Sequence, residues 1–448
     1  MELVTGVETY LRSGLLPVYY IAVLLGAFII WVKFEFKIVP LFIILLFCEG
    51  LVVYLSRNNV IFSYVYKVGF FVFAFIIFSY KLIRVKKTRH EKLFLVIFSI
   101  IGLVFLISFI INNSNFFTIL SQYLKKYGIP LLFYFGLKAE YHKENNMNMY
   151  ASLFTWLLGF QIILVFFKLY LFGFGESLVG SISFLGGGAG NIIPILGFFL
   201  FWIKRNDVLT KSDWLFVLTL FLSIAIIGNK RSILFVWPFV VASVYTFVSK
   251  SMKITTFVAY LPILLIVFVI GVKTNPTLNP TGSRWGKFDL NYVFDYAAHY
   301  TFGDEYYRAS GNIGYGRGDG AYKIAAKLKT ESLFIHYIFG YGVEEIFSQD
   351  YAGFETGKFG VRSKGALSSF AQNFVATGLL GAVLIFFFGV SLVRTLDNKQ
   401  LRRIIYIFLA WDYFLFINST IAINASSILL VFICLYYNWL KDQRVHYL

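Results

Sequence analysis

Residues 93–111 read LFLVIFSIIGLVFLISFII, without a single charged side chain. A helix needs about 20 consecutive apolar residues to cross about 30 Å of hydrocarbon, and this run is of that length. Comparable uncharged runs extend from Gly14 to Val32, Met149 to Phe167, Ile254 to Val272 and Ile421 to Leu440. The whole chain follows suit: 58% of its residues are hydrophobic, 20% aromatic and 14% charged, and the mean hydropathy is +0.73. That make-up excludes an ordinary soluble globule and predicts an all-α polytopic membrane protein.

Apolar runs separated by charge give about thirteen spans, with a working range of about 12–14. They lie near residues 14–32, 38–55, 62–80, 93–111, 119–137, 149–172, 186–203, 213–228, 232–249, 254–272, 369–393, 404–418 and 421–440. Ten spans thus fall within 1–272 and three within 369–448, on either side of a polar segment at 273–368. The opening MELVTGVETYL has no basic n-region and no small-residue cleavage site, so the first run reads as a retained span.

Basic residues set the orientation. Lys81, Arg84, Lys86, Lys87, Arg89 and Lys92 lie between spans three and four, Lys204, Arg205 and Lys211 between seven and eight, and Arg394, Lys399, Arg402 and Arg403 between eleven and twelve. The alternate loops carry almost none, so the positive-inside rule places the basic set in the cytoplasm. The formal charge of +17 is then accounted for by cytoplasmic loops and anionic lipid, with no call for nucleic acid. Cys48 and Cys434 sit inside apolar runs and provide neither a disulfide framework nor metal-ligand spacing.

The 273–368 segment and the short turn Gly228-Asn229-Lys230-Arg231 fall together on the outer side. In the long segment acidic and basic residues nearly balance and aromatics are dense, which predicts a folded cap. An amphipathic helix is expected from Ala321 to Leu328, followed by a glycine turn at Gly340-Tyr341-Gly342.

Candidate site residues concentrate on that side. Arg231 stands at the outer mouth of span nine beside Lys230, where a guanidinium fork matches phosphate oxygens; the bland alternative is a snorkelling helix-end cation. Arg317 precedes the amphipathic helix among glycines, and its alternative is a loop ion pair with Asp319 or Asp304. Arg284 is a third candidate of the same kind. Lys125 and Lys126 interrupt span five, where they could meet a diphosphate or merely snorkel, while Glu49 and Asp412 read as structural intramembrane groups. His299 and His336 are the outer-face histidines, with Glu344 and Glu345 close behind in sequence. No metal-binding motif and no P-loop is present, so neither a metal nor another cofactor is expected.

Three segments carry a family resemblance: GNKRSILFVW at 228–237; Arg317 with Ala321, Ala325 and the IFGYGVE turn; and ALSSFAQNFVATGLLGAVL at 366–384. In order, side and spacing they resemble the O-antigen polymerase and ligase superfamily (Wzy and WaaL proteins), which also contains some protein O-oligosaccharyltransferases. The resemblance covers residues 186–395 or so. One departure separates the subgroups: Leu367-Ser368 occupies the place of the ligases' His-Asn, which favours polymerase.

What the resemblance implies is a GT-C-like fold with one large periplasmic loop containing short helices, in the bacterial inner membrane. The implied activity is metal-independent polymerisation of undecaprenyl-diphosphate-linked oligosaccharide repeat units, lipid-linked glycan being both donor and acceptor. Arg231 and Arg317 would be catalytic, and Lys230, Arg284, Lys125, Lys126, His336 and Glu344 substrate-binding. Glu344, Glu345, His336 and the leaving group itself stay open as proton acceptor. A chain-length regulator and a flippase are candidate partners. The competing readings are a ligase or O-oligosaccharyltransferase and, from another class, a flippase or transporter of lipid-linked sugar.

Overall fold

A computed structural model of the chain describes residues 14–56, 60–113, 115–141, 144–173, 178–183, 189–206, 208–228, 230–248, 254–302, 333–342, 367–415, 420 and 424–446. Among them the regular structure is helical throughout, with no strand. The elements are α1 (Leu16–Lys33), α2 (Ile38–Phe47), α3 (Glu49–Ser56), α4 (Val60–Arg84), α5 (Arg89–Asn112), α6 (Phe116–Tyr123), α7 (Ile129–Ala139), α8 (Glu144–Phe172), α9 (Ala189–Lys204), α10 (Lys211–Leu220), α11 (Arg231–Phe247), α12 (Ile254–Thr274), α13 (Leu290–Phe302), α14 (Phe334–Phe339), α15 (Ser369–Val393), α16 (Lys399–Leu415) and α17 (Asn424–His446). Wider π-helical turns join α6 to α7 (Leu124–Gly128) and extend α10 (Phe221–Ile227).

Each apolar run of the sequence folds as helix, but not each as a full-length one. Among the described residues four helices are long and apolar enough to cross a membrane: α1, α5, α8 from Asn146, and α15. The pair α2 and α3, bent by 65° at Cys48, makes a fifth if counted as one span. Others are shorter or interrupted: α9, at 16 residues, rises only about 24 Å. This is the make-up of an α-helical multi-pass membrane protein. Its outward surface agrees, since Ile21, Ile29, Ile76, Ile110 and Ile163 are exposed on helices whose other faces are buried.

The ends are defined by polar side chains. Thr88 and Glu91 form a reciprocal capping box at the start of α5, and Thr210 with Asp213 forms another at α10, each satisfying two free N–H groups. Around them lies a network at one end of the bundle. Lys81 pairs with Glu140, the Lys138 ammonium meets Glu91 at 2.5 Å, Tyr141 donates to Asp442 at 2.5 Å, and Lys441 meets Asp397 at 3.0 Å. These are loops and helix ends that the positive-inside reading groups together. Between the ends the core is aromatic, with ring centroids 4.4 Å apart for Phe221–Trp237 and 4.7 Å for Phe94–Phe388 and Phe154–Phe432.

Candidate functional site

The half of the bundle away from that network contains the interruptions. In α15 the helix breaks at Gly378, whose φ of 68° and ψ of −175° only glycine adopts readily. A helix broken there exposes carbonyls to hydrocarbon unless something else bonds them. The turn after α14 does so: Tyr341 N–H donates to Val375 O at 2.7 Å and Gly342 N–H to Ala376 O at 3.1 Å. From α5, Ser108 Oγ reaches the same Ala376 carbonyl at 3.1 Å, and Asn112 Nδ2 holds Gly340 O at 3.1 Å. The two backbones nearly touch. A Cβ on Gly340 would lie 2.5 Å from the Thr377 and Gly378 nitrogens, and one on Gly378 would lie 2.1 Å from Ile338 O.

His336 belongs to this turn. Its ring stacks on Tyr341 with centroids 4.5 Å apart and planes 10° from parallel, and its Nδ1 lies 3.2 Å from Gly340 O. With the Nδ1 proton given to that carbonyl, Nε2 is the nitrogen that accepts. Leu367 is buried and has no proton to move. Ser368 Oγ caps α15 by accepting the Ala371 N–H at 3.3 Å.

The break at Cys48 is closed by a second strap, residues 178–183. Gly50 N–H donates to Ser181 O and Ser181 Oγ to Phe47 O, both at 2.8 Å, while Gln161 of α8 grips Ser181 by accepting its N–H at 2.8 Å and donating Nε2 to its Oγ at 3.0 Å. Glu49, just past the break, pairs with Lys125 on the π-turn between α6 and α7, the two side chains being 15% and 14% exposed. The sequence offered Lys125 a diphosphate, snorkelling or a buried structural pair, and Glu49 is a carboxylate partner of that last kind. Lys126, also on that π-turn, has interactions of its own.

The other end of the strap meets the GNKR turn. A Cβ on Gly228 would lie 2.9 Å from Leu178 O, so the two chains run in contact there. Lys230 N–H donates to Ala225 O at 2.7 Å, closing the π-turn, and the Lys230 stem lies across Gly190, 2.6–3.1 Å from where a Cβ would stand. Arg231 is the first residue of α11, at the helix N-terminus. Arg284 stands in a turn folded back on the end of α12 by Asn279, whose Nδ2 donates to Asn275 O and Ser283 O, both at 2.9 Å. Partial burial lowers its guanidinium from the ordinary arginine range. Arg317, Glu344 and Glu345 lie outside the described residues, as do the side chains of Arg231 and His299 and the expected helix at 321–328.

Helix direction brings the described pieces to one end. Since α5 ends, α15 begins, α16 ends and α11 begins away from the basic network, the Gly340–Gly378 junction and the GNKR turn share that end. Sequence reading missed two residues here. Lys168 is wholly buried in α8, its ammonium 4.9 Å from the Tyr19 ring centroid, and its only signal was one lysine in LVFFKLYLF. Gln161 gave no signal at all, since its role depends on the strap that returns to it. No group of three or more metal-ligating side chains occurs among the described residues. In comparisons with known proteins, no family model, no curated protein and no solved structure matches this chain.

Proposed function

We propose that this chain is a membrane glycosyltransferase that polymerises undecaprenyl-diphosphate-linked repeat units, an O-antigen or capsule polymerase of the Wzy kind. In this reading the helical segments make about thirteen spans, the basic network faces the cytoplasm, and the end with the interruptions faces the periplasm. The observation that supports it is the seating of the FGYG turn on the break at Gly378, at the same end as the GNKR turn. Those are the segments that carry the family resemblance, and they are far apart in sequence.

The chemistry asked of the protein is modest. The anomeric carbon–oxygen bond to the diphosphate breaks as the acceptor hydroxyl forms a new glycosidic bond. The hydroxyl proton passes to a base or to the departing diphosphate. Arg231, Arg317, Lys230 and Arg284 would bind the diphosphate and stabilise its growing charge, while the cap excludes water and aligns the hydroxyl. His336, through Nε2, stands with Glu344, Glu345 and the leaving group as proton acceptor.

The ligase reading is the runner-up, and the buried Leu367 where ligases have histidine weighs against it. A flippase reading suits less well, because its site is expected near mid-membrane. The test is Arg231→Ala and Arg317→Ala in the native host, with membrane insertion checked. Surface glycan should fall to single repeats; a full ladder of long chains from either inserted mutant overturns the clamp. Deletion of the gene separates the readings, since polymerase loss leaves one repeat on the acceptor, ligase loss leaves none, and flippase loss strands repeats in the cytoplasmic leaflet.

A further inference from the structure

The connection between α4 and α5 carries more cations than its own fold uses. Lys81 pairs with Glu140, and Lys87 Nζ donates to Leu82 O at 2.8 Å near the end of α4. Glu91, the single acid of residues 81–92, is buried and already engaged by the Thr88 N–H at 2.7 Å, the Tyr134 hydroxyl at 2.7 Å and the Lys138 ammonium at 2.6 Å. Lys138 also donates to Lys86 O at 3.3 Å, which ties Lys86 to the start of α5. That leaves Arg84, Lys86, Arg89 and Lys92 exposed, and none of the four meets a carboxylate among the described residues. Arg89 and Lys92 lie one turn apart on the same face in the first turns of α5, where like charges repel and the helix dipole disfavours a cation.

The face they share continues as hydrocarbon. Leu93, Val96, Ile100 and Leu103 follow Arg89 at intervals of three or four residues and are all exposed, while Phe94 and Val104 turn the other way, Phe94 onto Phe388 and Val104 towards Gly381 of α15. From Leu93 to Leu103 the helix rises about 15 Å, half of the about 30 Å of a bilayer's hydrocarbon. The end of α4 repeats the plan: Ile76 and Ile83 are exposed on either side of Tyr80, over whose ring the Arg84 guanidinium lies at 3.9 Å. We propose that Arg84, Lys86, Arg89 and Lys92 hold the headgroup of an anionic phospholipid whose acyl chain lies along Leu93, Val96, Ile100 and Leu103. The phosphodiester supplies the counter-charge that the protein withholds, and a guanidinium with an ammonium one turn away suits its two free oxygens. Cations alone would suit an acidic protein equally; the apolar stripe running on from them for the depth of one leaflet selects lipid. Setting the orientation of the chain asks only for charge in the connection, not for charge at the head of that stripe.

This inference rests on α5 crossing a membrane and not on the glycan chemistry, and its test uses the purified full chain. The chain in mild detergent is titrated with phosphatidylglycerol or phosphatidylcholine and its thermal unfolding followed. A rise in Tm specific to phosphatidylglycerol, growing with the logarithm of its concentration and reduced by high salt, is expected. Arg89→Gln with Lys92→Gln should move that curve to roughly thirtyfold higher lipid, at about 1 kcal/mol for each cation. Lys399→Gln with Arg403→Gln removes the same charge from the exposed start of α16 and should leave the curve in place. Equal responses to the two lipids overturn the site, as do equal shifts in the two double variants. An unchanged curve in the Arg89→Gln, Lys92→Gln chain also overturns it and leaves the patch to an acidic protein. The deacylated headgroup, glycerophosphoglycerol, should not reproduce the rise at the same concentration; if it does, the site takes a soluble phosphodiester and the lipid assignment fails. Should the Arg89→Gln, Lys92→Gln chain not fold, native mass spectrometry of the parent decides: retention of phosphatidylglycerol over phosphatidylcholine is expected, and equal retention refutes the inference.

Discussion

Replacing Gly378 by alanine tests the junction on which the candidate site is assembled. The residue sits at φ 68° and ψ −175°, a region that costs a residue with a Cβ on the order of 1–3 kcal/mol. The added methyl would also stand 2.1 Å from Ile338 O and 2.2 Å from its carbon, which are backbone atoms and cannot swing aside. If α15 straightens to escape, Leu379 and Leu380 compete for the carbonyls of Val375 and Ala376, and the N–H groups of Tyr341 and Gly342 lose their acceptors. Two such bonds are worth about 1–3 kcal/mol together, so whether the strained conformation is kept or given up the loss is about 1–3 kcal/mol. Gly69 provides the control: it is exposed on α4, with nothing within 4 Å of where a Cβ would stand, and alanine there should be neutral or stabilising by up to about 1 kcal/mol. Thermal melting of the purified proteins reads the difference, and the surface glycan ladder reads its consequence. A Gly378→Ala protein that melts with the Gly69→Ala control and still supports long chains would refute the seating of the turn on the break.

Gly50→Ala should dislodge the second strap, because its Cβ would lie 2.6 Å from Ser181 O, and a large drop in Tm checks this. Glu49→Ala should destabilise by about 3–5 kcal/mol, as expected when one partner of a buried pair is removed, and adding Lys125→Ala should restore part of the loss. A double-mutant cycle that sums within about 0.5 kcal/mol would show the two side chains to be uncoupled. Thr88→Ala, which removes one capping box far from the junction, should cost about 1 kcal/mol in denaturation experiments and leave the glycan ladder intact.

Most of the helices could be read from the chain directly. LFLVIFSIIGLVFLISFII is long and uncharged enough to be a membrane helix in any setting, whereas its start at Arg89, set by the Thr88–Glu91 capping box, emerged only in the structure. Such signals are local: hydropathy and the clustering of Lys and Arg act within short stretches of neighbouring residues. They fixed the helical class, the approximate helix positions and the basic end.

What only packing decided was how broken helices are made whole. Gly378 in ATGLLG looks like any small residue in a span until the FGYG turn arrives to bond the carbonyls it frees, and the Ser108 hydroxyl that helps is 268 residues away in sequence. Lys125 looked like a stray cation because its partner, Glu49, lies 76 residues earlier, on a helix bent by a strap from yet another part of the chain. Inside hydrocarbon every polar group must find its partner within the protein, and which one it finds depends on the order in which helices pack, which no stretch of neighbouring residues encodes.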